Sequence, residues 1–303
     1  MQINSIDKNC YIKFYGIPNS KNQTKITFKG QNTDSFERIS NFKKFEMSVY
    51  NPYLSEAYNY DTVNIDLSKP QIIELGKNTK PRYADRKLTL DYDPDRTGIL
   101  TDKITGKQIK SVVLKSKDDK YKDIFAYHFM SEDLEKEFGY ISLENCFKPT
   151  IEKLYLQYDL IRDYPKLGVT GPRVFVLYLK NLTNGKIGGV GKLADKYTVK
   201  HCLENGIEPN VVSEAGPLSH VAHYLKGKRF LPLEPNSYAA DFFQKRFATT
   251  NVNKILSMLI ARYEKNGMYI DLRGWPIVPM YMPLNIIKKY TKELKAENLL
   301  PKI

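Results

Sequence analysis

Short runs of alternating apolar and polar positions dominate the middle of the chain, from residue 109 to residue 182. β-Branched and aromatic residues fill these runs, a composition typical of strands. The strands that this pattern predicts cover residues 109–117, 123–130, 137–145 and 172–182. The intervening segment 153–161 fits a strand or a helix equally well. We therefore expect a mostly antiparallel series of strands in this part of the chain.

The period of the pattern changes abruptly after residue 182. Apolar residues then recur at i, i+3, i+4 and i+7, which places them on one face of a helix. These residues are Val190, Leu193, Ala194 and Tyr197. The pair Asn205-Gly206 is a typical signal for the end of a helix. A loop with the sequence NGKIGGVG, residues 184–191, joins the last strand to this helix. Because glycine raises the entropic cost of ordering a backbone, so many glycines predict that something approaches the loop closely.

The C-terminal part predicts short strands and helices in mixed order. Ser237, Asn251 and Pro283 each precede a helical pattern and have the chemistry of helix starts, and Gly267 has that of a helix end. The predicted strands cover 208–215, 228–233, 268–274 and 277–282, and the predicted helices cover 217–227, 238–247, 253–267 and 284–298. Trp275 is expected in the core.

Residues 1–108 are polar, aromatic and rich in turn residues, and we interpret them as a β-rich N-terminal extension preceding a domain at 109–303. The segment 35–50 predicts a short helix, and Thr105-Gly106 predicts a hairpin turn. The spacing Asp91-x-Asp93-x-Asp95 resembles a calcium loop. Arg96, however, occupies the position at which such a loop needs glycine, so turn chemistry is the better interpretation.

Composition adds little to this picture. The 303 residues are 42% hydrophobic and 27% charged, which is typical of a soluble globular protein. The sequence shows neither a signal peptide nor a membrane span, and its three cysteines are widely spaced, so we expect a cytoplasmic protein without a structural metal. The net charge of +13 is compatible with an anionic ligand or nucleic acid. Because the lysines are scattered, solvation is the favoured explanation and nucleic acid is not a favoured partner.

A glycine-rich turn between a strand and a helix is a typical phosphate site. The Walker loop is excluded because Leu193 stands where its hydroxyl should be. The dinucleotide motif fits locally as Gly189-x-Gly191-x-x-Ala194, with Glu214 at the end of the next strand. The surroundings argue against it, because a Rossmann domain needs further alternating strands and helices and none precede the motif.

The loop also resembles the acyl-coenzyme A loop of the GNAT superfamily of N-acetyltransferases, whose signature is [QR]-x-x-G-x-[GA]. Here the signature reads from Lys186 to Gly191, with lysine in place of glutamine or arginine. Downstream, Tyr224, Gly227 and Phe230 follow in the order of the family, with one extra residue. The resemblance covers roughly residues 120–232. It implies an α/β (α+β) fold with a GNAT-like, mixed, mostly antiparallel sheet flanked by helices.

The resemblance also implies a cosubstrate, acetyl-coenzyme A. In the family the loop amides hold the pyrophosphate and the preceding strand pairs with the pantetheine arm. The residues carried over to these roles are Leu179, Lys180, Asn181, Leu182, Lys186, Ile187, Gly188, Gly189, Val190, Gly191 and Lys192.

Catalysis in the family is direct attack of an amine on the thioester. Tyr224 matches the residue that protonates the departing thiolate, since a tyrosine pKa near 10 suits that role. Glu144 and Glu214, each near the end of a predicted strand, are candidates for a base, although solvation is the favoured explanation for both carboxylates and the family often lacks a dedicated base. The acceptor is a primary amine on an unidentified small molecule or protein. The alternatives are a noncatalytic GNAT-like or basic β-rich interaction protein and, less favoured, a dinucleotide-binding oxidoreductase.

Overall fold

A computed structural model of the chain shows a mixed α/β fold. It describes residues 42–51, 56–76, 87–118, 122–146, 173–207, 209, 211–216, 219–267 and 269–300. The predictions for 153–161 and for the chain before residue 42 lie outside these residues. The described residues belong to one compact unit.

The described residues contain thirteen strands and five helices. The strands are β1 Phe42–Asn51, β2 Glu56–Asp66, β3 Gln71–Gly76, β4 Lys87–Tyr92, β5 Thr97–Asp102, β6 Gln108–Asp118, β7 Ile124–Ser131, β8 Glu137–Cys146, β9 Arg173–Asn181, β10 Ile187–Gly188, β11 Val211–Ala215, β12 Arg229–Phe230 and β13 Val278–Tyr281. The helices are α1 Val190–Glu204, α2 His220–Leu225, α3 Tyr238–Phe247, α4 Val252–Asn266 and α5 Leu284–Ala296.

One sheet of eleven strands dominates the fold. Its main path runs β10-β5-β6-β7-β8-β9-β11-β13-β12, and β3 joins it through β4, which pairs with β6. All of its pairs are antiparallel except β9 with β11, which are parallel and are connected through α1. β1 and β2 form a separate antiparallel pair. The predicted class, a mixed and mostly antiparallel sheet flanked by helices, is therefore confirmed.

Helix α1 lies on one face of this sheet because its predicted apolar stripe is buried there. Leu193 and Tyr197 join the main core, together with Tyr127 and Phe129 of β7. The Tyr197 hydroxyl donates a hydrogen bond of 2.9 Å to the carbonyl of Thr97 on β5. The helix is thus fixed across several strands, and its first turn has a defined position.

A second core lies under α3 and α4. Phe243, Ile255 and Trp275 are buried in it, so the expectation that Trp275 belongs to the core is confirmed. The predicted helix starts are confirmed as well, since Ser237 accepts a hydrogen bond from the Ala240 amide and Asn251 accepts one from the Lys254 amide.

Two expectations about local structure differ from the structure. Within the predicted helix at 35–50, the described residues from Phe42 onward form strand β1 and pair with β2, so tertiary pairing overrides local propensity. The predicted strand at 268–274 is irregular over its described residues 269–274. The boundary expected at 108/109 lies inside β6, directly after its first residue Gln108, and both β4 and β5 pair with β6 in the main sheet.

A buried histidine on α1 makes the fold sensitive to acid. His201 donates from Nε2 to Asn145 Oδ1 at 2.7 Å and accepts at Nδ1 from the Tyr127 hydroxyl at 2.9 Å. Burial, helped by the charge of Lys115, lowers the pKa of His201 to about 3. The neutral ring is therefore the folded form. Its contribution to stability is complete above the unfolded pKa of about 6.5 and is lost as the pH falls towards 3.

We expect this histidine to account for about 2 kcal/mol of the stability lost between pH 7.5 and pH 5. Urea unfolding of the wild type and of His201→Gln at both pH values measures it. The variant should show a smaller drop, and equal drops in the two proteins would contradict the assignment.

Candidate functional site

The two parallel strands at the centre of the sheet separate part-way along their length. Their pairing ends at Val176 of β9 and Ser213 of β11. β9 continues to Asn181 and stays paired with β8 throughout, with a bulge between Val176 and Tyr178. Beyond this point β9 and β11 are no longer paired with each other, at the end where both strands finish. We call the space between Leu177–Asn181 and the end of β11 the strand gap.

The register of β8 and β9 decides which backbone groups face the strand gap. The Leu182 amide donates to the Phe138 carbonyl at 2.9 Å. Since hydrogen-bonded and non-hydrogen-bonded pairs alternate in an antiparallel ladder, Lys180 also points to β8, whereas Leu179 and Asn181 point away from it. Of the four residues predicted to hold a pantetheine arm, two present backbone groups to the strand gap and two use theirs in the sheet.

The first half of the glycine loop is tied into the sheet. The Ile187 amide donates to Thr183 Oγ1 at 3.1 Å, so it has no hydrogen left for a ligand. Ile187 and Gly188 pair with Asp102 and Thr101 of β5 as strand β10. The backbone amides that remain available to a ligand are therefore those nearer the start of α1.

Helix α1 begins with amides that have no partner inside the helix. Its first internal bond runs from the Leu193 amide to the Gly189 carbonyl at 2.8 Å. The amides of Val190, Gly191 and Lys192 precede this bond, and Gly189 gives no side-chain cap. They lie at the positive end of the helix dipole, which favours an anion.

Glycine occupies the positions of this loop for different structural reasons. Gly185 and Gly189 have φ angles of 77° and 92°, which favour glycine over any other residue. Gly191 has an ordinary helical position, but a β-carbon there would overlap Lys226 Nζ. Positive φ angles thus account for two of the glycines, whereas at Gly191 the close neighbour is the flexible end of the Lys226 side chain.

Lys226 is the cation beside the first turn of α1, and no pattern in the sequence indicates that it would lie there. Lys186, the predicted cation, is exposed on the turn before β10, and within the described residues it makes only backbone hydrogen bonds. Lys192 lies 3.6 Å from the Glu293 carboxylate of α5 and is engaged there.

Tyr224 lies on α2, and α2 is fastened to the end of β11. His220 donates from Nε2 to the carbonyl of Ala215, the last residue of β11, at 2.9 Å. Burial lowers the pKa of His220 to about 4, so the ring is neutral at pH 7 and its Nδ1 carries no proton. The half-buried Tyr224 ring packs under the Arg229 guanidinium at 4.6 Å, which fixes the ring plane.

The two candidate bases occupy different positions. Glu144 lies opposite Phe175, where β9 still pairs with β11, so the structure does not bring it to the strand gap. Glu214 follows the last β9–β11 pair and lies opposite Pro279 of β13, at the mouth of the strand gap.

A cleft of about 380 Å³ lies beside the first turns of α1. β5, α1 and the C-terminal end of α5 form its walls. Its lining is Asp95, Thr97, Gly98, Ile99, Gly189, Lys192, Leu193, Lys196, Glu293, Glu297 and Leu299. Ion pairs of Lys192 with Glu293 and of Lys196 with Glu297 cross it and hold α5 to α1.

A serine, a histidine and a glutamate are linked on the face of the sheet opposite α1. His128 Nε2 lies 3.0 Å from Ser116 Oγ and its Nδ1 lies 2.8 Å from Glu137 Oε1. Ser116 and His128 are 2% and 1% exposed. Leu90 of β4 lies opposite Ser116, and Leu114 lies two residues before Ser116 on β6; both leucines belong to the adjacent apolar cluster. Both ring nitrogens of His128 have hydrogen-bond partners. Because the Ser116 hydroxyl is closed to solvent, we interpret this network as the hydrogen bonding of a buried histidine.

Within the residues that the structure describes, no group of three or more His, Cys, Asp or Glu side chains is arranged to hold a metal ion. The helices found there are all too short or too polar to cross a membrane. Comparison with models of known protein families and with curated proteins gives no match for this chain.

Proposed function

We propose that this protein binds a coenzyme A thioester in the strand gap and transfers its acetyl group to a primary amine. The observation that carries this proposal is the parting of the parallel strands β9 and β11, followed at once by a glycine loop and the uncapped start of α1. A long ligand with amides at one end and phosphates at the other matches this order of features.

The strand gap supports the pantetheine part of the proposal. Leu179 and Asn181 direct N–H and C=O groups away from β8, and the pairing of β9 with β11 on that side stops at Ser213. A pantetheine arm carries two amides, so it can complete the ladder that β11 leaves unfinished. The cosubstrate then lies in line with the strand, with its thioester near the end of β11.

The first turn of α1 supports the phosphate part. Three consecutive amides, from Val190 to Lys192, point out of the helix, and Lys226 adds a positive charge beside Gly191. Charge-assisted hydrogen bonds of this kind are stronger than neutral ones. A pyrophosphate satisfies the amides and neutralises the cation together.

Tyr224 supplies the acid in this mechanism. The amine nitrogen attacks the thioester carbonyl, the C–S bond breaks, and the sulfur takes the proton of the Tyr224 hydroxyl. The amine loses its own proton to solvent, and solvent restores the tyrosine. Positioning supplies most of the rate enhancement, and α2 contributes to it because His220 ties that helix to the end of β11.

The order of elements agrees with the resemblance from β7 onward and departs from it before that point. Strand, loop, helix, strand and short helix follow one another as the resemblance implies, from β9 to α2. The family places two helices before the strand that corresponds to β7, whereas the described residues 87–118 contain strands alone.

Calorimetry with acetyl-coenzyme A tests the proposal directly. We expect saturable binding by the wild type and none of NADH. At a ligand concentration about 100 times the Kd, the free energy of unfolding should rise by about 2.7 kcal/mol, seen as a higher Tm. Thiol release with a panel of primary amines tests transfer. Absence of acetyl-coenzyme A binding would overturn the proposal, and preferential NADH binding would favour the dinucleotide alternative.

A further inference from the structure

Helix α5 presents a face on which every charge is positive. Lys288, Lys292 and Lys295 lie at i, i+4 and i+7, so they share one side of the helix, and Lys289 flanks them. All four residues are exposed, and none of them forms an ion pair within the part of the chain that the structure describes. We call these four residues the lysine face.

The carboxylates of this segment lie on the other side of the helix. Glu293 lies 3.6 Å from Lys192 of α1, and Glu297, at the C-cap of α5, pairs with Lys196 of α1. These contacts hold both carboxylates towards α1, so they do not offset the lysine face. Scattered lysines in the sequence favour solvation, but this sorting of charge across α5 is produced by the packing of two helices.

Helix stability does not account for the lysine face. A cation in the last turn of a helix offsets the dipole, which explains Lys295 alone. Lys288 and Lys292 lie outside that turn, and like charges at i and i+4 destabilise a helix. A bound polyanion would relieve this repulsion.

The dimensions of the lysine face fit the phosphates of a duplex. From Lys288 to Lys295 the helix rises about 10 Å, and one strand of a duplex places about three phosphates over that length. The other exposed residues on this side are Leu284 and Asn285, whereas Tyr290, the one ring of α5, is 4% exposed. The face therefore offers no ring on which an unpaired base could stack, as proteins that bind single strands do.

An anionic membrane is the other large polyanion to consider. A helix that lies on a membrane inserts its apolar side into the lipid. In α5 the apolar residues Ile287, Tyr290 and Leu294 are buried in the main core together with α1. Because Leu284 is the large apolar side chain that α5 exposes, the observations favour nucleic acid over lipid.

We propose that the lysine face of α5 binds the phosphate backbone of double-stranded nucleic acid. Lysine contacts with phosphates position a protein on a duplex but carry no sequence information, so the binding is independent of sequence. This surface is a second site, because none of its lysines belongs to the residues assigned to the cosubstrate.

Fluorescence anisotropy with a labelled DNA duplex of about 20 base pairs, titrated at several salt concentrations, measures this binding. A variant that combines Lys288→Gln, Lys292→Gln and Lys295→Gln should bind at least about 10-fold more weakly than the wild type at low salt. The slope of log K against log salt should fall in magnitude by about 2.7, because each phosphate contact contributes about 0.9. Arginine at the same three positions keeps the charge and should bind at least as tightly as the wild type.

A matched control removes three charges from another helix. Lys254→Gln, Arg262→Gln and Lys265→Gln change exposed residues of α4, a helix on which Glu264 is exposed as well. This variant loses the same net charge and should keep the affinity and the salt slope of the wild type. Tm values show whether each variant is folded, and the single variant Lys292→Gln, with a slope lowered by about 0.9, repeats the test with a smaller change.

Four results would each overturn the proposal. The first is a wild type that does not bind the duplex at low salt. The second is an equal loss in the α4 and α5 variants, which would indicate attraction by bulk charge. The third is tighter binding to a single strand of the same sequence. The fourth is tighter binding to phosphatidylserine vesicles than to the duplex, which would assign the lysine face to a membrane surface.

Discussion

Gly189→Val is expected to reduce coenzyme A affinity at least about 100-fold while leaving most of the fold intact. Gly189 precedes α1 with a φ angle of 92°, a conformation that a β-branched residue adopts only with strain of about 1–3 kcal/mol. The backbone would relieve that strain by rotating, and the three amides that start α1 would lose their common direction. Each hydrogen bond that an amide then fails to make with the ligand costs about 1 kcal/mol or more, so the combined effect on binding is large.

Gly106→Val provides a matched control for that experiment. Gly106 has a similar φ angle, 72°, in the hairpin turn between β5 and β6, and an added β-carbon there meets no atom within 4 Å. Both variants therefore carry comparable backbone strain, and their urea unfolding curves should shift alike. Calorimetry with coenzyme A should separate them, because Gly106 lies in the β5–β6 turn and is not one of the residues whose amides start α1. Wild-type affinity in Gly189→Val, or an equal loss in both variants, would remove the loop from the binding site.

Tyr224→Phe is expected to lower kcat about 100-fold or more while leaving the affinity for acetyl-coenzyme A unchanged. General acid catalysis contributes about 10²–10⁴-fold in enzymes, and this substitution removes only the hydroxyl that donates the proton. The phenyl ring can still pack under the Arg229 guanidinium, so α2 should keep its position. The thiolate would then have to take its proton from water.

Single-turnover thiol release, measured with a saturating amine, gives this rate directly. Tyr238→Phe is the control, since Tyr238 is 73% exposed on α3 and should turn over at the wild-type rate. A kcat for Tyr224→Phe equal to that of the wild type would exclude the acid role, and a Kd raised in parallel would instead indicate a binding role for the hydroxyl.

The elements around the strand gap follow from local sequence to a large extent. β9 is predicted by its β-branched and aromatic residues, and α1 by the stripe that includes Leu193 and Tyr197. The capping residues Ser237 and Asn251 begin their helices as predicted. These signals act over a few residues, because a helical face repeats every turn and a cap bonds to an amide three positions away.

Other features have no local signal. The segment from Phe42 becomes a strand only because β2 lies beside it. Gly188 is part of a strand pair because β5, far earlier in the chain, passes next to it. Glu144 has the same sequence context as Glu214, a carboxylate near the end of a strand, yet it lies beside the still-paired part of β9.

Local patterns in the chain are sufficient to predict that a strand, a glycine-rich turn and a helix follow one another at residues 173–204, and that a tyrosine-bearing helix comes soon after. They do not predict which groups face the strand gap, because that depends on the folded arrangement of distant segments. The register between β8 and β9 turns Leu179 and Asn181 outward and Lys180 inward. The packing of α2 and α5 on α1 brings Lys226 to Gly191. The physical reason is the distance along the chain over which each kind of interaction acts. Periodicity and capping are properties of neighbouring residues, whereas register and side-chain approach depend on segments that meet only after the chain has folded.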